Sequence, residues 1–71
     1  MLTDNEYTAL QKANACGPIG VERLNLTHEE NAAADSMTRR GLVERWADES
    51  VHITRLGERI LASERARRRS F

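Results

Sequence analysis

The 71-residue chain has one cysteine, one proline, four glycines and three aromatic residues, and each scarcity excludes something. A lone thiol, Cys16, cannot build a disulfide framework or a cysteine-based zinc site, and it fits a reducing compartment. Too little Pro and Gly is present for a disordered linker, and no repeat, low-complexity segment or internal boundary interrupts the chain. With only Tyr7, Trp46 and Phe71 as aromatics, a core has to be filled by Leu, Ile, Val, Met and Ala. No apolar run approaches membrane-spanning length, and Met1–Glu6 lacks the basic start and apolar stretch of a signal peptide, so the expected location is the cytosol. Catalytic chemistry is equally sparse. His28 and His52 are far apart and form no metal-ligand pattern with Cys16, and neither a nucleophile motif nor a phosphate-cradling glycine loop occurs. No enzyme, cofactor or metal is expected.

What is present is a charge asymmetry. Net formal charge is zero, but the first 36 residues set Lys12 and Arg23 against six acids, whereas the remaining 35 set nine arginines against five. Such a dipole suits a basic nucleic-acid surface toward the C-terminus, or attraction between two copies. At this length the chain forms one domain, residues 1–71, near the lower size limit for a self-sufficient core, and a homodimer contact would add burial.

Thr3 and Glu6 stand at capping-box spacing, with Leu2 and Tyr7 placed for a hydrophobic staple, which predicts a first helix ending near Ala15 before Gly17-Pro18. Ile19, Val21, Leu24 and Leu26 are crowded into a segment with room for a short second helix. Thr27 and Glu30 repeat the capping-box spacing and open a third helix to Arg40, whose Ala33, Ala34 and Met37 form an apolar stripe. Gly41 is placed for a left-handed cap, and Leu42 can meet Met37 as in a Schellman ending. Leu42–Trp46 and Val51–Ile53 read as two strands around the polar Ala47–Ser50, with Trp46 covering the core. Thr54 caps a last helix lined by Leu56, Ile60 and Leu61, which frays into a basic tail over residues 65–71.

Two blocks sharpen this pattern. Met37-Thr38-Arg39-Arg40-Gly41-Leu42-Val43-Glu44-Arg45, followed by His52-Ile53-Thr54-Arg55-Leu56-Gly57-Glu58, resembles the recognition-helix end, first wing strand and "I-T-x-x-G" helix start of MarR-like winged-helix regulators. The resemblance spans about half the chain. It implies a mainly α winged helix-turn-helix with a three-helix core, a two-stranded wing and a C-terminal helix, and a regulator that binds double-stranded DNA.

Under that reading His28, Asn31, Arg39, Arg40, Arg45, His52, Arg55, Arg67, Arg68 and Arg69 are the candidate DNA contacts: Asn31 by its amide against a base edge, the arginines against phosphates. The same surface departs from the regulators' pattern. Glu29 and Asp35 stand on the exposed side of the third helix, and Glu44, Asp48 and Glu49 on the wing, where a carboxylate near phosphate is repelled. The alternative is a protein-interaction adaptor or inhibitor, of phage or mobile-element type, presenting Glu29, Asp35 and Trp46 to a partner.

Overall fold

The computed structural model of the chain describes residues 2–69. Among them are helices α1 (Asp4–Cys16), α2 (His28–Arg39) and α3 (Arg55–Arg69), and an antiparallel strand pair, β1 (Val43–Arg45) and β2 (Val51–Ile53). None of the described helices is long and apolar enough to cross a membrane.

α1 and α2 begin with the same device. Thr3 Oγ1 accepts from the Glu6 N–H at 3.1 Å while Glu6 Oε1 accepts from the Thr3 N–H at 2.9 Å. Thr27 and Glu30 repeat the arrangement at 3.1 and 2.9 Å. Each capping glutamate then reaches the other helix: Glu6 pairs with Arg40 at the end of α2 at 3.1 Å, and Glu30 with Lys12 of α1 at 2.7 Å. Start is thus tied to finish in both directions, so the two helices run antiparallel. Between them lie Leu10, Ala13, Ala34 and Met37, all fully buried.

α2 ends as its sequence requires. Gly41 has φ +78°, the Leu42 N–H donates to the Met37 carbonyl at 3.0 Å and the Gly41 N–H to that of Thr38 at 3.1 Å, which is the Schellman pattern. The chain enters β1 directly, and the register pairs Val43 with Ile53, Glu44 with His52 and Arg45 with Val51. Val43 and Val51 close the core from the sheet side, and Leu61 of α3 from below.

Three expectations are corrected. Residues 17–26 form no α-helix; they make two single 3₁₀ turns, Gly17–Ile19 and Arg23–Asn25, with Val21 between them bridged to Val51 by two 2.9 Å hydrogen bonds. Val21 and Leu26 point inward while Ile19 and Leu24 point out, an alternation that a helix cannot produce. Trp46 does not cover the core but stands 54% exposed, and Leu56 is also exposed, the buried side of α3 being Gly57, Leu61 and Glu64.

The basic segment is helical through Arg69 where fraying is expected. Glu64 binds both Arg67 and Arg68. Arg68 also reaches Asp4 at 3.1 Å and lies 4.0 Å over the Tyr7 ring, which fastens the end of α3 to the start of α1. Residues 70 and 71 of the expected tail, Phe71 among them, lie outside the described residues.

Candidate interaction surface

The hairpin and the outer side of α2 form one flank of the molecule. The turn between the strands is closed by the Glu49 N–H donating to the Trp46 carbonyl at 2.8 Å, and by the Trp46 N–H donating to that of Ser50 at 3.0 Å. Glu49 has φ +66°. A three-residue hairpin loop calls for a left-handed residue there, and glycine would serve at lower cost.

Arg45 leaves β1 toward α2. Its side chain, 19% exposed, pairs with Asp35 at 3.1 Å and donates to the Glu49 carbonyl at 2.9 Å. Arg23 pairs with Glu49 at 2.8 Å. Arg45 and Arg23 are therefore neutralised by carboxylates of this flank, whereas Arg39, on the outer side of α2, is exposed and makes no ion pair among the described residues. Asn31 is turned inward: its Nδ2 faces the carbonyls of Arg23, Leu26 and Thr27 at 3.2–3.3 Å, holding the 3₁₀ turn against α2, and its Oδ1 is buried without a partner.

His52 is 7% exposed. The Trp46 ring stacks on it, centroids 3.7 Å apart and planes 15° from parallel. A Cβ added to Gly20 would stand 2.6–2.8 Å from its Cε1, Nε2 and Nδ1, so a glycine backbone occupies the space beside the same ring. At its edge runs a chain of hydrogen bonds. Ser50 Oγ donates to Asp48 Oδ1 at 2.6 Å and lies 2.8 Å from His52 Nε2. Because the serine hydrogen is committed to the carboxylate, His52 Nε2 supplies the proton of the bond to Ser50 Oγ. The Ser50 hydroxyl, and then its backbone N–H, hold Asp48 below the ordinary aspartate range. Asp48 lies in the turn and meets Ser50 through an Asx-type contact, its Oδ1 accepting from the Ser50 N–H at 3.0 Å, and Ser50 then meets His52 two positions on in β2.

Of the other expected DNA contacts, Arg40, Arg67 and Arg68 are likewise engaged internally, with Glu6, with Glu64, and with Glu64 and Asp4. Arg39, Arg55 and Arg69 are exposed and make no ion pair among the described residues. Arg55 and Arg69 share the outward side of α3 with Arg59. His28 and Glu29 are exposed at the start of α2.

Of the clefts that border the hairpin, two open beside the exposed apolar residues of the 3₁₀ turns. One, of about 600 Å³, runs from Glu22 and Leu24 to Asp48 and Glu49. The other, of about 440 Å³, lies between the end of α1, the hairpin and the start of α3, with Pro18, Glu44, Trp46 and Glu58 in its wall. Leu24, 92% exposed, and Ile19, 81% exposed, stand on the 3₁₀ turns alongside. Among the described residues no three His, Cys, Asp or Glu side chains are grouped to hold a metal ion. Compared with models of protein families, with curated proteins and with solved structures, the chain matches none.

Proposed function

We propose that the chain is a non-catalytic protein-interaction module on a winged-helix scaffold, docking a basic partner through the flank formed by α2 and the hairpin. The topology supports the scaffold. With Val21 counted as a minimal strand beside β2, the order is helix, 3₁₀ turn, strand, 3₁₀ turn, helix, hairpin, helix, which is compatible with a winged helix whose second helix is reduced to the turn Arg23–Asn25.

The observation that carries the partner class is the fate of the flank's cations. Arg45 and Arg23 are tied to Asp35 and Glu49, while Glu22, Glu29 and Glu44 are exposed and have no ion-pair partner among the described residues. Against these three free carboxylates the outer side of α2 sets one free cation, Arg39, so the surface that a winged-helix regulator lays into a major groove carries an excess of negative charge here, which phosphates disfavour. It also displays apolar anchors, Leu24 and Trp46, of the kind that fill pockets on protein partners.

One observation favours a second reading, binding to double-stranded DNA: Arg39, Arg55, Arg59 and Arg69 are exposed and unpaired among the described residues. Thr54 Oγ1 donates to the Gly41 carbonyl at 2.7 Å, which brings the end of α2, with Arg39, beside the start of α3, with Arg55.

The deciding experiment pairs two measurements. Wild-type protein and a Glu22→Lys/Glu29→Lys variant are compared as baits in lysate of the source cell, and both are titrated against mixed duplex DNA at low salt. Loss of captured partners on charge reversal, with no salt-dependent DNA binding by wild type, is the expected result. Capture that ignores the reversal removes the acidic-flank reading, and salt-sensitive DNA binding by wild type replaces it with the second.

A further inference from the structure

The cleft of about 440 Å³ beside Trp46 gathers unpaired polar groups from several elements at one place. Asp35, Asp48 and Glu49 are all occupied, by Arg45, Ser50 and Arg23. Glu44 and Glu58, which reach this cleft from β1 and from α3, have no partner among the described residues, and neither does the side chain of Asn14 from α1. His52 also lines it, more than nine-tenths buried and stacked on the Trp46 ring. One side of Trp46 is spent on His52 and the rest of the indole remains accessible.

The cleft thus brings two unpaired carboxylates beside a half-accessible indole, with no Arg or Lys among the described residues that line it. We infer that it is a recognition pocket for an arginine side chain of the protein partner, which lies along Trp46 while its guanidinium is shared between Glu44 and Glu58. This rests on the protein-interaction reading above and names the group on the partner that the flank selects.

Arginine fits better than lysine for a geometric reason. A planar guanidinium stacks on an indole and still offers in-plane N–H donors to two carboxylates, whereas an ammonium is a point charge with a tightly held water shell. The pocket is also fixed in advance. The stack on His52, the hydrogen-bond chain through Ser50 to Asp48, and Gly20 beside the imidazole together hold Trp46 in one orientation, so little ordering is left to the moment of binding.

Trp46 is the only tryptophan, which makes its emission and its indole N–H resonance direct reporters. The full chain is titrated with an acetylated and amidated Gly-Arg-Gly-Arg-Gly peptide, with its lysine counterpart, and with its citrulline counterpart, which keeps the shape and loses the charge. The arginine peptide is expected to move both Trp46 signals saturably, lysine to bind several-fold more weakly, and citrulline about tenfold more weakly or worse. Glu44→Gln and Glu58→Gln each weaken the arginine peptide several-fold, while Glu29→Gln, an equally free carboxylate away from the cleft, leaves it unchanged. Both cleft glutamates are exposed and unpaired among the described residues, so neither substitution removes a fold contact.

No saturable shift of Trp46, equal binding of the citrulline peptide, or a Glu29→Gln effect matching that of Glu44→Gln overturns the pocket while leaving the acidic-flank reading intact. Conversely, arginine binding in the cleft combined with capture indifferent to Glu22→Lys/Glu29→Lys removes the broader flank and keeps the pocket. Sedimentation at rising concentration closes the remaining route: self-association that Glu44→Gln abolishes assigns the pocket to an arginine of a second copy and overturns a distinct partner.

Discussion

The backbone of Gly57 lies against the carbonyl oxygen of Leu42, so that a Cβ on residue 57 would fall far inside van der Waals contact with that oxygen. The same carbonyl accepts from the Thr54 N–H at 3.1 Å and from Thr54 Oγ1 at 3.0 Å, and Thr54 Oγ1 in turn accepts from the Gly57 N–H at 3.0 Å. Thr54 and Gly57 are the fixed letters of the I-T-x-x-G block, and one atom explains both. Gly57→Ala is therefore expected to push α3 away from the sheet and to cost about 3 kcal/mol, the upper end of what overpacking usually costs. Urea unfolding reads this directly, and a loss within error of zero would mean that α3 is not seated on Leu42 as described.

Gly20 makes the second close approach. Its φ of +76° already disfavours a side chain, and an added Cβ would press on the His52 ring at 2.6–2.8 Å. Gly20→Ala should displace the imidazole and with it the indole of Trp46, shifting Trp46 emission to the red and destabilising the chain by about 1–3 kcal/mol. Unchanged emission in a folded variant would show that the stack does not depend on the glycine.

Local signals were readable because they need only near neighbours. The two capping boxes, the Schellman ending at Gly41 with Leu42, and the Thr54 cap each involve residues within about five positions of one another, and backbone geometry dictates their spacing. The apolar stripe Ala33, Ala34 and Met37 is periodic and faces the core as read. What was not readable is the fate of the polar residues, because their partners come from elsewhere in the chain. Asn31 looks like a base-reading amide until the carbonyl of Arg23 arrives beneath it. Arg45 looks like a wing contact until Asp35 takes it. Arg68 looks like a frayed end, yet its partner Asp4 stands 64 positions away. Val21 was missed as a strand because a single bridging residue has no periodicity to detect.

Thr27 supports α2 at a point where the chain has just left a 3₁₀ turn. Its hydroxyl is the acceptor for the Glu30 N–H at 3.1 Å, and Glu30 returns the bond to the Thr27 N–H at 2.9 Å. Thr27→Ala should cost about 1 kcal/mol, and Thr27→Ser should restore most of it. Chemical denaturation of the three proteins side by side checks this, and a Ser variant no better than Ala would place the effect in packing and not in the cap.

The response to acid follows from Glu30. The hydrogen bond from Lys12, at 2.7 Å, and then the Thr27 N–H hold its carboxyl below the ordinary glutamate value of 4.5. Glu64 is lowered in the same direction, first by Arg67, and Asp48 by Ser50. A group whose pKa falls on folding contributes its stability above the unfolded value and loses it as pH drops through the folded one. The share of stability carried by these three carboxyls is therefore expected to be level from pH 7 to about 5.5, where all three are ionised in both states, and to decline progressively below about 4.5. Glu30→Gln keeps an acceptor for the Thr27 N–H but has no proton to gain, so its stability should start lower at pH 7 and fall less steeply toward pH 3. Lys12→Met, which removes the first-named cause, should flatten the profile in the same way. Urea midpoints for the three proteins across pH 3–7 decide it: parallel curves for wild type and Glu30→Gln would show that the Lys12–Glu30 bridge between α1 and α2 does not carry the acid response.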